Sequence, residues 1–152
     1  MSYVKSVLQP DERLRYVTHI HWCIFLPAIG FFVLSALVLW FAAIVSHVYN
    51  LWHTVALVLF ICGLVTGAHA WFRRFTTEIA VTDRRIIYKR GFISLQSVEM
   101  QMDKVESVDV TQSVLGRLLG YGDVIIRGVG AGMEPLLNIS SPVDFRNHVT
   151  GE

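Results

Sequence analysis

Trp22 to Val45 reads WCIFLPAIGFFVLSALVLWFAAIV, and Leu51 to Phe72 reads LWHTVALVLFICGLVTGAHAWF. Each stretch exceeds the roughly 20 residues that a helix rising 1.5 Å per residue needs to cross about 30 Å of hydrocarbon. No Lys, Arg, Asp or Glu occurs from Tyr16 to Phe72. Such a run is hard to fold in water and natural in lipid, where a charge at mid-depth costs roughly 2.5–3.5 kcal/mol. The sequence therefore predicts two transmembrane helices, 22–45 and 51–72, joined by a short polar turn at 46–50. A secretory signal peptide does not fit the first stretch. Its apolar core would be about 7–15 residues long, start nearer the N-terminus and lack a second span after it.

The flanks of the hairpin set its orientation. Lys5, Arg13 and Arg15 precede the first span, Arg73 and Arg74 follow the second, and the turn carries no basic residue. The positive-inside rule then places both termini in the cytoplasm and the turn outside. Trp22, Trp40, Tyr49, Trp52 and Trp71 fall mostly near the predicted ends, as an aromatic belt requires. Gly63 and Gly67 form a small-residue face on the second span. It suits close packing against the first span, where Ala28, Ser35 and Ala36 are small, or against another subunit. Cys23 and Cys62 lie inside the apolar region and read as small buried residues, too far apart in a hairpin to pair.

Over the whole chain of 152 residues, 53% are apolar and 16% charged, against about 25% charged in a soluble domain. The formal net charge of +1 offers no basic surplus for nucleic acid, so no nucleic-acid partner is expected.

Beyond the hairpin the period changes. From Phe75 onward, Thr77, Ile79 and Val81 alternate with Thr76, Glu78 and Ala80, the pattern of a half-buried strand. Thr82-Asp83-Arg84 reads as a turn, and Arg85–Arg90 as a second strand ending at Gly91. Further strands are predicted at Phe92–Met100, Lys104–Thr111, Asp123–Arg127 and Leu136–Ser140. A short helix is predicted over Ser113–Leu119 with Gly120 as its stop, and a last one capped by Ser141, with Pro142 at its first position. Phe145 and Val149 would pack that helix on the sheet. Residues 1–21 are expected to join the same domain through a strand at Arg13–Ile20. The expected fold is thus an α+β membrane protein: a two-helix hairpin and a mainly antiparallel β domain over 73–152 with a short C-terminal helix.

Three groups of residues invite a functional reading. Arg73, Arg74, Arg84, Arg85, Lys89 and Arg90 cluster in sequence just after the second span, where basic side chains attract anionic lipid or a protein partner. For Arg73 and Arg74 the ordinary cytoplasmic helix end explains them equally, and for the other four a solvated strand edge does. His19, His21 and His69, or His47 and His53 on the outer side, offer the donors zinc prefers. No Cys, Asp or Glu completes either set, so no metal is expected. The glycines of Gly128-Val129-Gly130-Ala131-Gly132 lack the spacing of a dinucleotide loop and precede a strand, which reads as a hairpin; no cofactor is expected. The Ser, His and Cys residues form no activated nucleophile, so no catalytic residues are assigned.

Glu78-Ile79-Ala80-Val81-Thr82-Asp83-Arg84-Arg85-Ile86-Ile87 and Leu115-Gly116-Arg117-Leu118-Leu119-Gly120-Tyr121-Gly122-Asp123-Val124 resemble the bacterial pleckstrin-homology-like membrane-flanked domain family. The Leu8–Arg13 stretch and His21-Trp22 resemble its N-terminal pattern. The resemblance covers nearly the whole chain. It implies a bent antiparallel sheet closed by a C-terminal helix, with Thr82, Asp83, Arg84, Gly116, Gly120, Tyr121 and Gly122 as structural motif positions and no catalytic residues. The closing helix would be short here, because the chain stops soon after Val149.

The combined expectation is a non-catalytic module in a bacterial inner membrane, crossing it twice with the domain inside. There it would recruit an unknown protein partner or sense lipid. An alternative is a homo-oligomeric scaffold forming a ring. A channel or transporter subunit would need a polar stripe, and Ser35, Thr54 and Thr66 are too few to provide one.

Overall fold

The computed structural model describes residues 7–9, 11–44, 49–91, 96–130, 132–133 and 135–151. The chain forms two units, residues 22–72 and residues 1–21 with 73–152.

In the apolar unit a 3-10 turn, Trp22–Phe25, runs into helix α1, Leu26–Ile44, followed by α2, Tyr49–Thr76. Pro27 falls in the first turn of α1, where no backbone donor is needed. Helix α2 is longer than predicted at both ends. Tyr49 and Asn50 belong to it and not to the turn, whose remaining residues, with Val45, lie outside the described residues. At the other end nothing breaks the helix after Phe72. It continues through Arg73 and Arg74, which suit the negative end of its dipole. The alternating pattern therefore begins at Glu78, three residues later than Phe75.

The two helices meet through small side chains. Ala28, Ala42, Ala56 and Ala70 are buried, and the buried Ser35 hydroxyl donates to the Ala56 carbonyl at 2.8 Å. The Gly63/Gly67 face is occupied by α1 of the same chain: a Cβ at Gly63 would stand 2.9 Å from the Phe32 ring, and one at Gly67 would stand 3.5 Å from the Ala28 methyl. Ala36, expected in this seam, faces outward. So do many of the large apolar residues of both helices, among them Leu37, Trp40, Leu64 and Val65. Trp22–Ile44 and Asn50–Thr76 are long and apolar enough to cross a membrane, with only 11% and 17% of an apolar 18-residue stretch in each buried. A core helix of a soluble protein is mostly buried.

The second unit is a two-sheet β domain. Strands β1 (Leu14–Thr18), β2 (Glu78–Thr82), β3 (Arg85–Arg90) and β4 (Gln96–Gln101) form one antiparallel sheet in that order. Strands β5 (Val105–Thr111), β6 (Tyr121–Gly128) and β7 (Leu136–Ser140) form the other. The apolar hairpin is thus inserted in the connection between two paired strands, β1 and β2. Of the strand predicted at 92–100, residues 92–95 lie outside the described residues and the remainder lies in β4.

After β1 the chain runs beside β7 and ties the sheets together. Ile20 bridges Ile139, Ser140 donates its N–H to the His19 carbonyl at 3.1 Å, and His21 donates to the Asn138 carbonyl at 2.7 Å. The core lies between the sheets: Ile79, Val81, Ile86 and Tyr88 from one, Val124, Ile126, Leu136 and Ile139 from the other. Helix α3 (Val114–Leu119) fills the β5–β6 connection, and α4 (Pro142–Thr150) closes the core with Phe145, Val149 packing beside it.

Two local expectations are corrected. Strand β2 is buried on both faces, because Ala80 and Thr82 on the side away from the core are also covered. Ser141 precedes α4 but does not cap it with its side chain. Its backbone is left-handed (φ 48°), whereas a capping side chain needs extended geometry. Its N–H donates to the Gly120 carbonyl at 2.9 Å.

Phe145→Ala should destabilise the β domain by about 3–5 kcal/mol, the cost of an aromatic-sized core cavity. Val143→Ala, on the exposed side of α4, should stay within about 0.5 kcal/mol. Amide hydrogen exchange of β2 and β6 in the full-length protein in detergent measures both.

Candidate functional site

Glu12 brings a carboxylate to a place where its side chain has no solvent exposure. A buried charge must be paired and hydrogen-bonded to be tolerable. Arg85 supplies a two-pronged contact, Nε to Oε1 at 2.9 Å and Nη2 to Oε2 at 2.8 Å. The Thr82 hydroxyl donates to Oε1 at 2.8 Å, and the Gln9 N–H donates to Oε2 at 2.9 Å. The same Thr82 oxygen accepts the N–H groups of Arg84 and Arg85, which is what makes Thr82-Asp83-Arg84 a tight turn. Arg85 gives two further donors to Glu99 at 2.7 Å and the Val7 carbonyl at 3.0 Å. Beside them Arg13 and Asp83 exchange bonds: the Arg13 N–H donates to Asp83 Oδ1 and the Asp83 N–H to the Arg13 carbonyl. Leu8–Arg13 and Thr82–Arg85, about 70 residues apart, are therefore halves of one assembly.

The electrostatics follow from this arrangement. Burial alone would push the Glu12 carboxyl up, but the hydrogen bonds from Arg85, the Gln9 N–H and Thr82, with the guanidinium charge, hold it at about 2. The hydrogen bond to Glu12 moves Arg85 above its ordinary value against the effect of burial, with Glu99 adding to the rise.

Around this node opens a cleft of about 780 Å³, where the N-terminal segment, the β2–β3 turn, the end of β4, the 3-10 turn Met102–Lys104 and the end of β6 meet. Arg84, Asp103 and Lys104 are exposed at it, while Met100, Met102 and Val129 add apolar surface. The lining carries charges of both signs. Among the described residues strand β4, alongside, is the outer strand of its sheet and mostly exposed. An outer strand can take up another strand.

The six cations grouped by sequence do not form one patch. Arg84 and Arg85 stand at the start of β3 and Lys89 and Arg90 at its end, roughly 17 Å apart at 3.3 Å per residue. Arg85 is 14% exposed and committed to Glu12 and Glu99, which removes it from the free head-group contacts. Nor are these residues on a solvated edge, since β3 lies inside the sheet between β2 and β4. Lys89 sits opposite Glu78 in register. Arg73 and Arg74 are in the last turn of α2.

Glu12 and Glu99 were missed as site residues by sequence reasoning. The only signal for Glu12 was an acidic residue inside the Leu8–Arg13 pattern, and nothing local in the sequence marks Glu99.

Among the described residues no three His, Cys, Asp or Glu side chains gather as a metal set. His19 is exposed, His53 and His69 lie within α2, and His47 is outside the described residues. The His21 ring stacks on Tyr121 at 5.3 Å. Burial and the nearby Arg74 lower its proton affinity. After Gly128 the chain turns back and the Met133 N–H donates to Ile126, placing Met133 in the core; Ala131 and Glu134 lie outside the described residues.

The second motif segment is held by close backbone approach. A Cβ at Gly116 would stand 2.7 Å from the Tyr121 carbonyl oxygen. Gly120 ends α3 in the left-handed region (φ 77°) that glycine adopts without strain. Gly122 opens β6 against the Thr111 carbonyl.

Two antiparallel sheets with a C-terminal helix across their shared core define a pleckstrin-homology-like domain, a class of binding module. The family model for the bacterial PH domain matches residues 15–152, and the chain belongs to that family. Glu12 lies just ahead of the matched range. No curated protein and no solved structure matches the chain.

A carboxyl held near 2 in the folded state, below its ordinary 4.5, stabilises the fold fully above about pH 4.5 and loses that contribution as pH falls toward 2. Glu12→Gln should cost about 3 kcal/mol at neutral pH, by leaving Arg85 short of its buried partner. It should also flatten the acid limb of stability between about pH 4.5 and pH 2. Glu99→Gln, at the partly exposed end, should cost under about 1 kcal/mol. Thermal unfolding of the full-length protein across this pH range reads all three.

Proposed function

We propose that this protein is a non-catalytic binding module anchored in the bacterial inner membrane. The hairpin crosses the bilayer twice, both termini are cytoplasmic, and the cleft with the β4 edge receives an extended segment of a partner protein. The observation that carries this reading is the insertion of an apolar hairpin, its large side chains turned outward, between paired strands β1 and β2 of a pleckstrin-homology-like domain. A binding fold interrupted in this way is held to the membrane by two chain crossings. Its work is to raise the effective concentration of whatever it holds at that surface.

The cleft favours a polypeptide over a lipid head group. Head-group capture calls for an excess of free cations, and Arg85 is consumed by Glu12 and Glu99 while Asp83 and Asp103 stand beside Arg84 and Lys104. A peptide backbone would instead complete the edge of β4, with Met100, Met102 and Val129 for its apolar side chains and the mixed charges for its polar ones. The ring-forming alternative drew on the Gly63/Gly67 face, which α1 of the same chain fills.

Single cysteines in a chain with Cys23→Ser and Cys62→Ser test the topology. A membrane-impermeant maleimide should label Asn50→Cys in intact cells and Glu106→Cys only after permeabilisation. Labelling of both from outside, or of Glu106→Cys alone, would overturn the orientation.

A photo-reactive side chain at Gln101 tests the cleft in native membranes. It should give a discrete protein adduct that weakens when Arg84 and Lys104 are both replaced by Glu. A lipid adduct with no protein adduct would sink the peptide reading.

A further inference from the structure

Helix α3 is built the wrong way round for a soluble domain. Its one buried residue is Gly116, pressed against the Tyr121 carbonyl, while its large apolar side chains face away from the domain. Val114 is 88% exposed, Leu115 62% and Leu118 81%, with Leu119 also partly exposed. Leu118 stands four residues from Val114 and three from Leu115, so it shares a helix face with both. Ser113 caps the helix by accepting the Gly116 N–H at 3.0 Å, and Gly120 terminates it, so the leucines are presented by a defined element. A concentrated apolar surface in water opposes solubility unless something covers it.

The position of α3 says what that cover is. Tyr121, two residues past the helix end, stacks its ring on His21, the residue before the first apolar span. His21 is further fixed to β7 through the Asn138 carbonyl, and Arg74, at the end of α2, is close enough for its charge to act on His21. The point where the chain leaves the β domain for the hairpin, and the arginine near its return, are thus at the end of the domain that carries α3. Arg117 sits on the same helix, its charge suited to anionic head groups beside these exposed apolar neighbours.

We propose that α3 is an interfacial membrane element: Val114, Leu115 and Leu118 enter the acyl boundary of the leaflet beneath the β domain, with Arg117 and Arg74 at head-group level. This rests on the hairpin being a membrane anchor. It adds a third attachment, which fixes the tilt of the domain and keeps the cleft, at the other ends of the strands, turned toward the cytoplasm.

Nitroxide depth measurements on full-length protein, in vesicles of phosphatidylethanolamine and phosphatidylglycerol, test it. Single cysteines replace Leu118 or Val114 in the Cys23→Ser, Cys62→Ser background; Leu37→Cys reports the anchor and Glu106→Cys the aqueous side. At Leu118→Cys and Val114→Cys the label should collide more with oxygen than with a water-soluble nickel chelate, as at Leu37→Cys, with the preference reversed at Glu106→Cys. Nickel-accessible labels at positions 114 and 118 with a lipid-buried Leu37→Cys would overturn the proposal and leave the anchor standing. Labels at 114 and 118 shielded from both reagents would overturn it in favour of a covering protein or second copy. A nickel-accessible Leu37→Cys would overturn the anchor and this inference together.

Discussion

The contact on which the β domain turns is the burial of the Glu12 carboxylate under the Arg85 fork. A carboxylate without solvent must be neutralised and saturated with donors, and Arg85, Thr82 and the Gln9 N–H do this together. Satisfying that one group fixes three things at once. It anchors the segment before β1, it closes the β2–β3 turn through Thr82, and through Glu99 it connects to β4. The price is that the most inviting cation of the basic cluster is withdrawn from ligand binding.

That anchorage matters because of what lies between β1 and β2. These strands are neighbours in space yet separated in sequence by the whole apolar hairpin, so the loop-closure cost of pairing them is borne by the rest of the domain. The Glu12 node secures one end of the β1–β2 pair. At the other end His19, Ile20 and His21 bond to β7. Both ends of β1 are therefore held by groups far away in sequence, and the hairpin leaves from a strand that is fixed in place.

The functional picture has the same polarity. At the β2–β3 turn, charged and apolar groups surround a cleft beside an exposed strand edge. At the β5–β6 connection, a glycine-backed helix shows only leucine, valine and arginine outward. In our reading the first end meets a partner protein and the second meets lipid. A small domain gains a defined orientation from this division without any moving part.

Much of the architecture was legible in the sequence, because the relevant signals are local. Two apolar runs without charge gave two helices, period-two alternation from Phe75 to Val81 gave the strand that the structure places at Glu78–Thr82 and the one at Arg85–Arg90, and Ser113 with Gly120 marked the ends of α3. Boundaries were less legible: α2 runs on to Thr76 because a helix stops where its hydrogen-bond ladder is broken and not where hydropathy ends. The capping role read for Ser141 failed because its backbone conformation is set by a bond to Gly120, on another element. The candidate site was least legible. Arg84, Arg85, Lys89 and Arg90 looked like one patch because they are adjacent in sequence, but a strand separates its ends by many ångströms and an ion pair with Glu12 spans 73 residues. The sequence by itself determined which segments are helix or strand and that two of them are long, apolar and without charge, since hydropathy and periodicity are properties of neighbouring residues. Only the tertiary structure decided which charges are spent inside the fold and which remain on its surface, because pairing a buried charge depends on distances the chain sets by folding.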